Sequence, residues 1–447
     1  MNPIKYFLIM VAVSVTTACY TPTPVYAELE VAITEGVFKP IPIAIPTFQG
    51  TTAQSAVIAQ NISQVIASDL EGCGLFEIVN PQAYIQDSNA VVHGPRFADW
   101  RILNAQGLVG GVVTEQAGQI QVMYRLFDVL QEKLLEEDNK GSPSTNWRRI
   151  AHVIADGIYK RMTGEEGYFD SRVAFVTVSG SQTNPVKKLA IMDYDGANVK
   201  MLTNGANMAI TPRFSPNSQQ LAYVEFVKNK KAAKATVYLV DIGTGARRPV
   251  GQFPGLSFSP RFAPDGSHLL MDMASKGVTS IYTMNLATHK VDRLTKTPSS
   301  IDTSPCYSPD GTQIAFNSDR GGAPQIYIMN AQGGDAKRIS FGQGRYYTPV
   351  WSPRGDFIAF TKNLNGTFYI GVMKMDGSGE RMLAQSAGRG VVEAPTFSPN
   401  GRVLMYTKTN GIGGTRIYSI DLSGRNEREV VTPANASSPA WSPRLPL

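Results

Sequence analysis

Histidine and cysteine are scarce in this chain, at 4 and 3 of 447 residues. None of His93, His152, His268 and His289 has a second histidine at metal-ligand spacing, so no zinc site can be read. His152 falls mid-helix, and His268 and His289 follow turns and precede strands. All four are read as structural or surface residues. Gly-x-Ser-x-Gly is absent, which removes the strained elbow of a serine hydrolase. Asp193-Tyr194-Asp195-Gly196 lacks the third acid and the distal glutamate of a calcium loop and reads as a hairpin turn. Gly110-Gly111 and Gly321-Gly322 lie in or between strands, with no following helix to hold a phosphate. The expectation is a protein without catalytic, metal or cofactor residues, not an enzyme.

Long apolar runs are also missing. The one near the N-terminus, Tyr6 to Val13 behind Lys5, is too short to span a membrane. With Val25-Tyr26-Ala27 as a cleavage site, residues 1–27 read as a secretory signal. A second reading makes Cys19 a lipidated N-terminus, against which Thr16 stands where a larger aliphatic residue is usual. Removing the signal takes away Lys5 and no acid, lowering the net charge of +6 by one. That is weak for so long a chain, and Lys228, Lys230, Lys231 and Lys234 read as a solvated hairpin tip rather than a nucleic-acid surface. Cys73 and Cys306 remain, in different domains, and are expected to be buried free thiols.

Six segments repeat the pattern proline, any residue, aromatic, small residue, proline: 212–216, 260–264, 305–309, 349–353, 395–399 and 439–443. The small residues are 48, 45, 44, 46 and 44 positions apart. A period in the forties with several short strands marks a propeller blade. Each copy gives a first strand, then a turn such as Ser308-Pro309-Asp310-Gly311, where proline presets φ and glycine closes a type I turn. An apolar second strand follows (Ile314-Ala315-Phe316), then a third (Ile326 to Asn330) and an edge strand near Ile339-Ser340. The first blade body, Val173 to Asp193, has no such strand in front of it, and Pro439 to Pro443 has no body after it. The C-terminal strand is therefore expected to complete the first blade and close the ring, leaving no open edge between first and last blades.

The repeats take residues 171–447, and 41–165 read as a small α/β domain. Its signals are a strand over Pro42–Phe48, a helix over 54–70 with Ile58, Ile62, Val65, Ile66 and Leu70 on one face, and a strand over Phe76–Val79. A short helix around Phe97–Leu103, strands over Leu108–Thr114 and Gln119–Leu130, and a last helix from Trp147 to Met162 complete it. Ser144-Thr145-Asn146 reads as that helix's start and Gly164 as its stop. Residues 28–40 form an N-terminal arm that alternates apolar and polar from Leu29 to Ile33, which allows either strand pairing or a mobile arm that docks.

The secretory signal, the small α/β domain and six blades carrying Pro-x-[Phe/Tyr/Trp]-Ser-Pro-Asp-Gly, Ile-Ala-Phe, Ile-Tyr-x-Met-Asn and Leu-Thr resemble the TolB family of the Tol-Pal system over the whole mature chain. The resemblance implies an α/β N-terminal domain followed by an all-β six-bladed propeller, in a monomeric periplasmic binding protein exported by the Sec route. It implies that the propeller mouth holds the outer-membrane lipoprotein Pal and the arm engages TolA. It also implies a role in outer-membrane integrity and constriction at division, and that colicin translocation segments use the same mouth. Related repeats occur in propellers attached to prolyl peptidases, so the alternative is a propeller-type hydrolase or a peptidase accessory subunit.

Loops entering each innermost strand lie at one end of the channel, so the residues before each conserved proline should converge there. These are Ala209, Ile210, Thr211; Leu256, Ser257, Phe258, Ser259; Thr303, Ser304; Tyr346, Tyr347, Thr348; Val392, Glu393, Ala394; and Ser437, Ser438. Aromatics among short polar residues at a concave rim suit a peptide hot spot. The family resemblance implies an acid where Ser304 stands and a histidine where Leu256 stands, so contacts there should differ. The TolA-binding arm implied by the same resemblance is Glu28, Leu29, Glu30, Val31, Ala32, Ile33, Thr34, Glu35 and Gly36.

Overall fold

The computed structural model describes residues 39–446 except 182, 229–232, 252–255, 276 and 412–413. The expected signal, the arm segment Glu28–Gly36, Lys230 and Lys231 lie outside the described residues. The lysine-rich hairpin is seen only up to the Lys228–Ala233 pair.

The chain begins with a mixed sheet. Strand β1 (Ile41–Ala44) is apolar enough to run down its middle, flanked in parallel by β3 (Phe76–Ile78) and β4 (Gly107–Gln116), while β2 (Gln49–Gly50) adds to β4. β5 (Gln119–Asp128) and β6 (Lys133–Pro143) extend it antiparallel, giving the order β3-β1-β4-β5-β6. The sequence reading has no strand over Lys133–Pro143. This edge strand carries Glu136, Glu137 and Asp138 and faces water, so it has no apolar alternation to betray it; Arg125 and Tyr124 of β5 hold its Glu137 and Glu136.

Helix α1 (Ala53–Gly72) starts in a capping box: Thr52 Oγ1 accepts from the Ser55 N–H at 3.1 Å and Ser55 Oγ accepts from the Thr52 N–H at 2.8 Å. α2 (Ser88–His93) and α3 (Phe97–Ile102) cover the opposite face. Gly110 and Gly111 have a packing reason: a Cβ on Gly110 would meet Val91 Cγ1 of α2 at 2.7 Å, and one on Gly111 would meet the Phe48 ring at 2.5 Å. α4 (Trp147–Thr163) packs on α1 and ends at Gly164, whose φ of 75° is the left-handed cap expected from sequence. Its start differs from expectation: Ser144–Asn146 form a short 3₁₀ turn and make no side-chain cap.

Six four-stranded blades follow. The first is closed as expected: Asn435–Trp441 pairs antiparallel with β7 (Arg172–Ser181), which pairs with β8 (Asn184–Asp193) and then β9 (Lys200–Met201). The other five run 208–249, 256–293, 302–338, 345–385 and 391–430. In each the innermost strand is followed by the same turn, shown by the Gly266, Gly311, Gly355 and Gly401 N–H groups bonding to the carbonyl of the small residue three positions back. These glycines sit at φ 71–76°. Ser218 takes that conformation in the second blade at φ 58°, without the freedom of glycine. Cys73 and Cys306 are buried, and burial pushes the Cys73 thiol up to about 12, which leaves it inert.

Candidate functional site

All six innermost strands run the same way, so their first residues ring one opening of the channel and their Ser-Pro turns ring the other. Every one carries the same bulge. The ladder register shifts between Ile210/Arg213, Phe258/Arg261, Thr303/Cys306, Tyr347/Val350, Glu393/Thr396 and Ser437/Ala440. The residue before each conserved proline is left-handed: Thr211, Ser259, Ser304, Thr348, Ala394 and Ser438 have φ of 50°, 51°, 55°, 47°, 55° and 53°. Such backbone costs on the order of 1–3 kcal/mol per non-glycine residue and persists only where its surroundings over-determine it. In three of the blades the preceding blade supplies the restraint. The Ser304 N–H donates to Asp272 Oδ2 at 3.0 Å, the Thr348 N–H to Asn317 Oδ1 at 3.3 Å, and the Ser438 N–H to Thr407 Oγ1 at 2.9 Å.

The bulge sorts the sequence-derived mouth residues. Two positions per blade reach solvent: Ile210 and Thr211, Phe258 and Ser259, Thr303 and Ser304, Tyr347 and Thr348, Glu393 and Ala394, Ser437 and Ser438. One position earlier the side chain turns into the blades, so Ala209, Tyr346 and Val392 are buried. Tyr346 donates to Glu380 Oε1 at 2.8 Å, with Lys362 bound to the same carboxylate at 2.7 Å, and is therefore a blade residue. Leu256 and Ser257 fall in the innermost strand of their blade, paired with Ala274 and Met273. Sequence reasoning missed the supports Asp272, Asn317 and Thr407. Their signal is a lone polar residue in an apolar second strand, as in Met271-Asp272-Met273. Burial pushes the Asp272 carboxyl up to about 6, although it accepts the Ser304 N–H.

The opposite opening carries the N-terminal domain. Asp156 of α4 ties down the connecting segment by accepting the Phe169 and Asp170 N–H groups at 2.8 and 3.0 Å. Arg149 clamps Asp170 with two guanidinium nitrogens, at 3.0 and 3.1 Å, and Arg402 of the sixth blade holds Glu165. An aromatic cluster of Tyr159, Tyr168, Phe169, Tyr194 and Trp441 joins the two domains in one core. The second buried face of α4 explains His152. Its Nδ1 lies 2.7 Å from Asp69 Oδ2 on α1, and Asp69 Oδ1 accepts the Tyr194 hydroxyl from the propeller at 2.6 Å. The turn Asp193–Gly196 is thus a docking element as well as a hairpin turn. Asp69, His152 and Asp195 bring ligand-type atoms within 4.8 Å of one another. Arg148 already pairs with Asp195 and the imidazole with Asp69, so the group reads as an ion-pair network.

A ring sealed by its own last strand, with an α/β domain fixed over one opening and a bulged, accessible rim at the other, defines a two-domain six-bladed propeller. Residues 159–445 match the TolB beta propeller domain and residues 29–135 the TolB amino-terminal domain. The chain belongs to the TolB family. It is similar to the crystal structure of TolB from Acinetobacter baumannii, at 26% identity and a TM-score of 0.79 over 91% of this chain and 97% of that one. A chain of Kuenenia stuttgartiensis hydrazine synthase shares the propeller fold at 15% identity and a TM-score of 0.50, over 62% of this chain and 48% of that one.

Proposed function

We propose that this protein is a periplasmic adaptor of the Tol-Pal system that binds the lipoprotein Pal at the rim of bulged strands and TolA through residues 28–36, supporting outer-membrane integrity and constriction at division. One observation carries the reading: the accessible rim and the N-terminal domain stand at opposite openings of one channel. Two partners can then be held without competing for surface. Tyr347 is the rim aromatic best placed to anchor a peptide, set among Thr303, Ser304 and Thr348. Glu393 stands exposed on the same rim, where a carboxylate favours a partner that donates hydrogen bonds. Colicin segments would use the same rim. The arm's apolar-polar alternation suits strand addition to a partner sheet.

Calorimetric titration of both partners tests the division of labour. Tyr347→Ala is expected to weaken Pal binding by on the order of 2 kcal/mol, about thirtyfold, with TolA binding unchanged. Deleting residues 28–36 is expected to abolish TolA binding and spare Pal. TolA binding that survives the deletion, or that is lost in Tyr347→Ala, sinks the reading.

The hydrolase alternative has its own check. Purified protein is expected to turn over no peptide or ester substrate, and reproducible turnover abolished by one blade-loop substitution would replace the adaptor with an enzyme.

A further inference from the structure

The channel opening that faces the N-terminal domain leads into a cavity of ≈ 540 Å³, walled by the Ser-Pro ends of the innermost strands. The residue after each conserved first proline lines it. In four blades this residue is uncharged: Cys306, Val350, Thr396 and Ala440. The position reaches the neighbouring strand, since Cys306 Sγ accepts the Trp351 N–H at 3.4 Å and Thr396 Oγ1 accepts the Trp441 N–H at 3.1 Å. In the two remaining blades, adjacent to each other, it is Arg213 and Arg261.

Neither arginine is neutralised among the described residues. Arg213 Nη1 donates to its neighbour's carbonyl, on Pro212, at 2.6 Å, and its Nε is buried without an acceptor. No carboxylate of the described residues acts on either arginine, and Arg213 feels the like charge of Arg261. Burial, followed by the like charge of Arg261, holds the Arg213 guanidinium well below its usual range. The lone carboxylate on the cavity wall, Glu166, is taken by Arg444 and Lys160. Both arginines are partly buried, and like charges drawn into one cavity without a counter-charge repel each other. One anion between them would relieve both. The guanidinium fork matches the spacing of two oxygens on a tetrahedral or carboxylate group.

We propose that this cavity binds a small oxyanion of the phosphate type, clamped between Arg213 and Arg261. The rings of Phe214, Phe262 and Tyr307 line the wall beside it. The volume exceeds what inorganic phosphate fills, so a phosphate carried on a small organic group fits as well.

Titrations of the full chain at constant ionic strength and pH 7, followed by thermal unfolding and by phosphorus NMR, test this. Inorganic phosphate is one arm and glycerol phosphate the other, with chloride as reference. The parent is expected to show saturable stabilisation, and the arm with the tighter saturation identifies free or esterified phosphate as the ligand class. Arg213→Gln and Arg261→Gln are each expected to weaken it about tenfold. Lys290→Gln, at an exposed cation outside the cavity wall, is expected to keep the parent's affinity. In chloride alone, Arg213→Gln is expected to melt above the parent, because one of two like charges without a counter-charge has gone. Phosphate raises stability generally by exclusion from protein surface, without saturating. A rise that fails to saturate in the parent, or that persists unchanged in both channel variants, overturns the site.

Discussion

Removal of residues 436–447 is expected to abolish the cooperative unfolding transition of the propeller. The segment contains nearly all of the strand that pairs with β7 from Val178 to Val173, so its loss exposes the ladder of the first blade. It also contains Trp441, whose ring stacks on Tyr194 at 6.4 Å and whose Nε1 donates to Ser171 Oγ at 2.8 Å. The Leu445 N–H bonds to the Asp170 carbonyl at 3.0 Å, and Arg149 holds the Pro446 carbonyl, so the same segment pins the N-terminal domain. Trp441→Ala alone should cost about 3–5 kcal/mol. A whole closing strand exceeds the roughly 5–15 kcal/mol margin of a typical domain. Near-ultraviolet circular dichroism during heating reads the outcome. A truncated chain that melts within a degree or two of the parent would show that closure does not depend on this strand.

The second large effect is expected at the domain interface. Asp69→Ala strands the imidazolium of His152 and the hydroxyl of Tyr194 in a buried site, and should destabilise the protein by about 3–5 kcal/mol. The pair also sets a pH dependence. Burial pulls the His152 pKa down, but the Asp69 carboxylate, its hydrogen bond and then Asp195 and Asp193 push it up to about 9, above the ordinary 6.5. Arg148, on the same helix, opposes this from beside Asp195. A histidine whose folded pKa is raised contributes stability that is complete below about 6.5 and lost as pH rises through about 9. Denaturant unfolding should therefore weaken across that window by on the order of 3 kcal/mol, and much less in His152→Gln. Burial raises the Asp69 carboxyl and works against the pair at low pH, below the window in question. Parallel pH profiles for parent and His152→Gln would show that the charge on His152 plays no part.

The rim and the interface were legible to different degrees. The six pre-proline positions could be placed at one opening because a fixed repeat and parallel inner strands leave no other place for them. Which of three neighbouring side chains reaches solvent depended on the bulge, and a bulge leaves no mark in composition when Thr, Ser and Ala supply it instead of glycine. His152 read as an ordinary helix residue because Asp69 lies 83 residues before it in the chain and Tyr194, whose ring it meets edge-on, belongs to the propeller. The acidic strand over 133–143 was invisible for a simpler reason: an edge strand bathed in water needs no alternation.

Periodicity alone determined the number of blades, their phase and their closure, since each blade is a local unit with its own turn chemistry and apolar strands, and since an unmatched strand at each end can be satisfied only by the other. The separate places of Cys73 and Cys306 and the order of α/β region before propeller were likewise written in the chain. Tertiary structure decided what lies between those units. It set the left-handed residues under restraint from the preceding blade, the buried charge network that fixes the domains, and the placing of Arg213 and Arg261 on the wall of one cavity. Each of these depends on side chains tens of residues apart being brought to one place, and such proximity is a property of packing, which a local pattern does not encode.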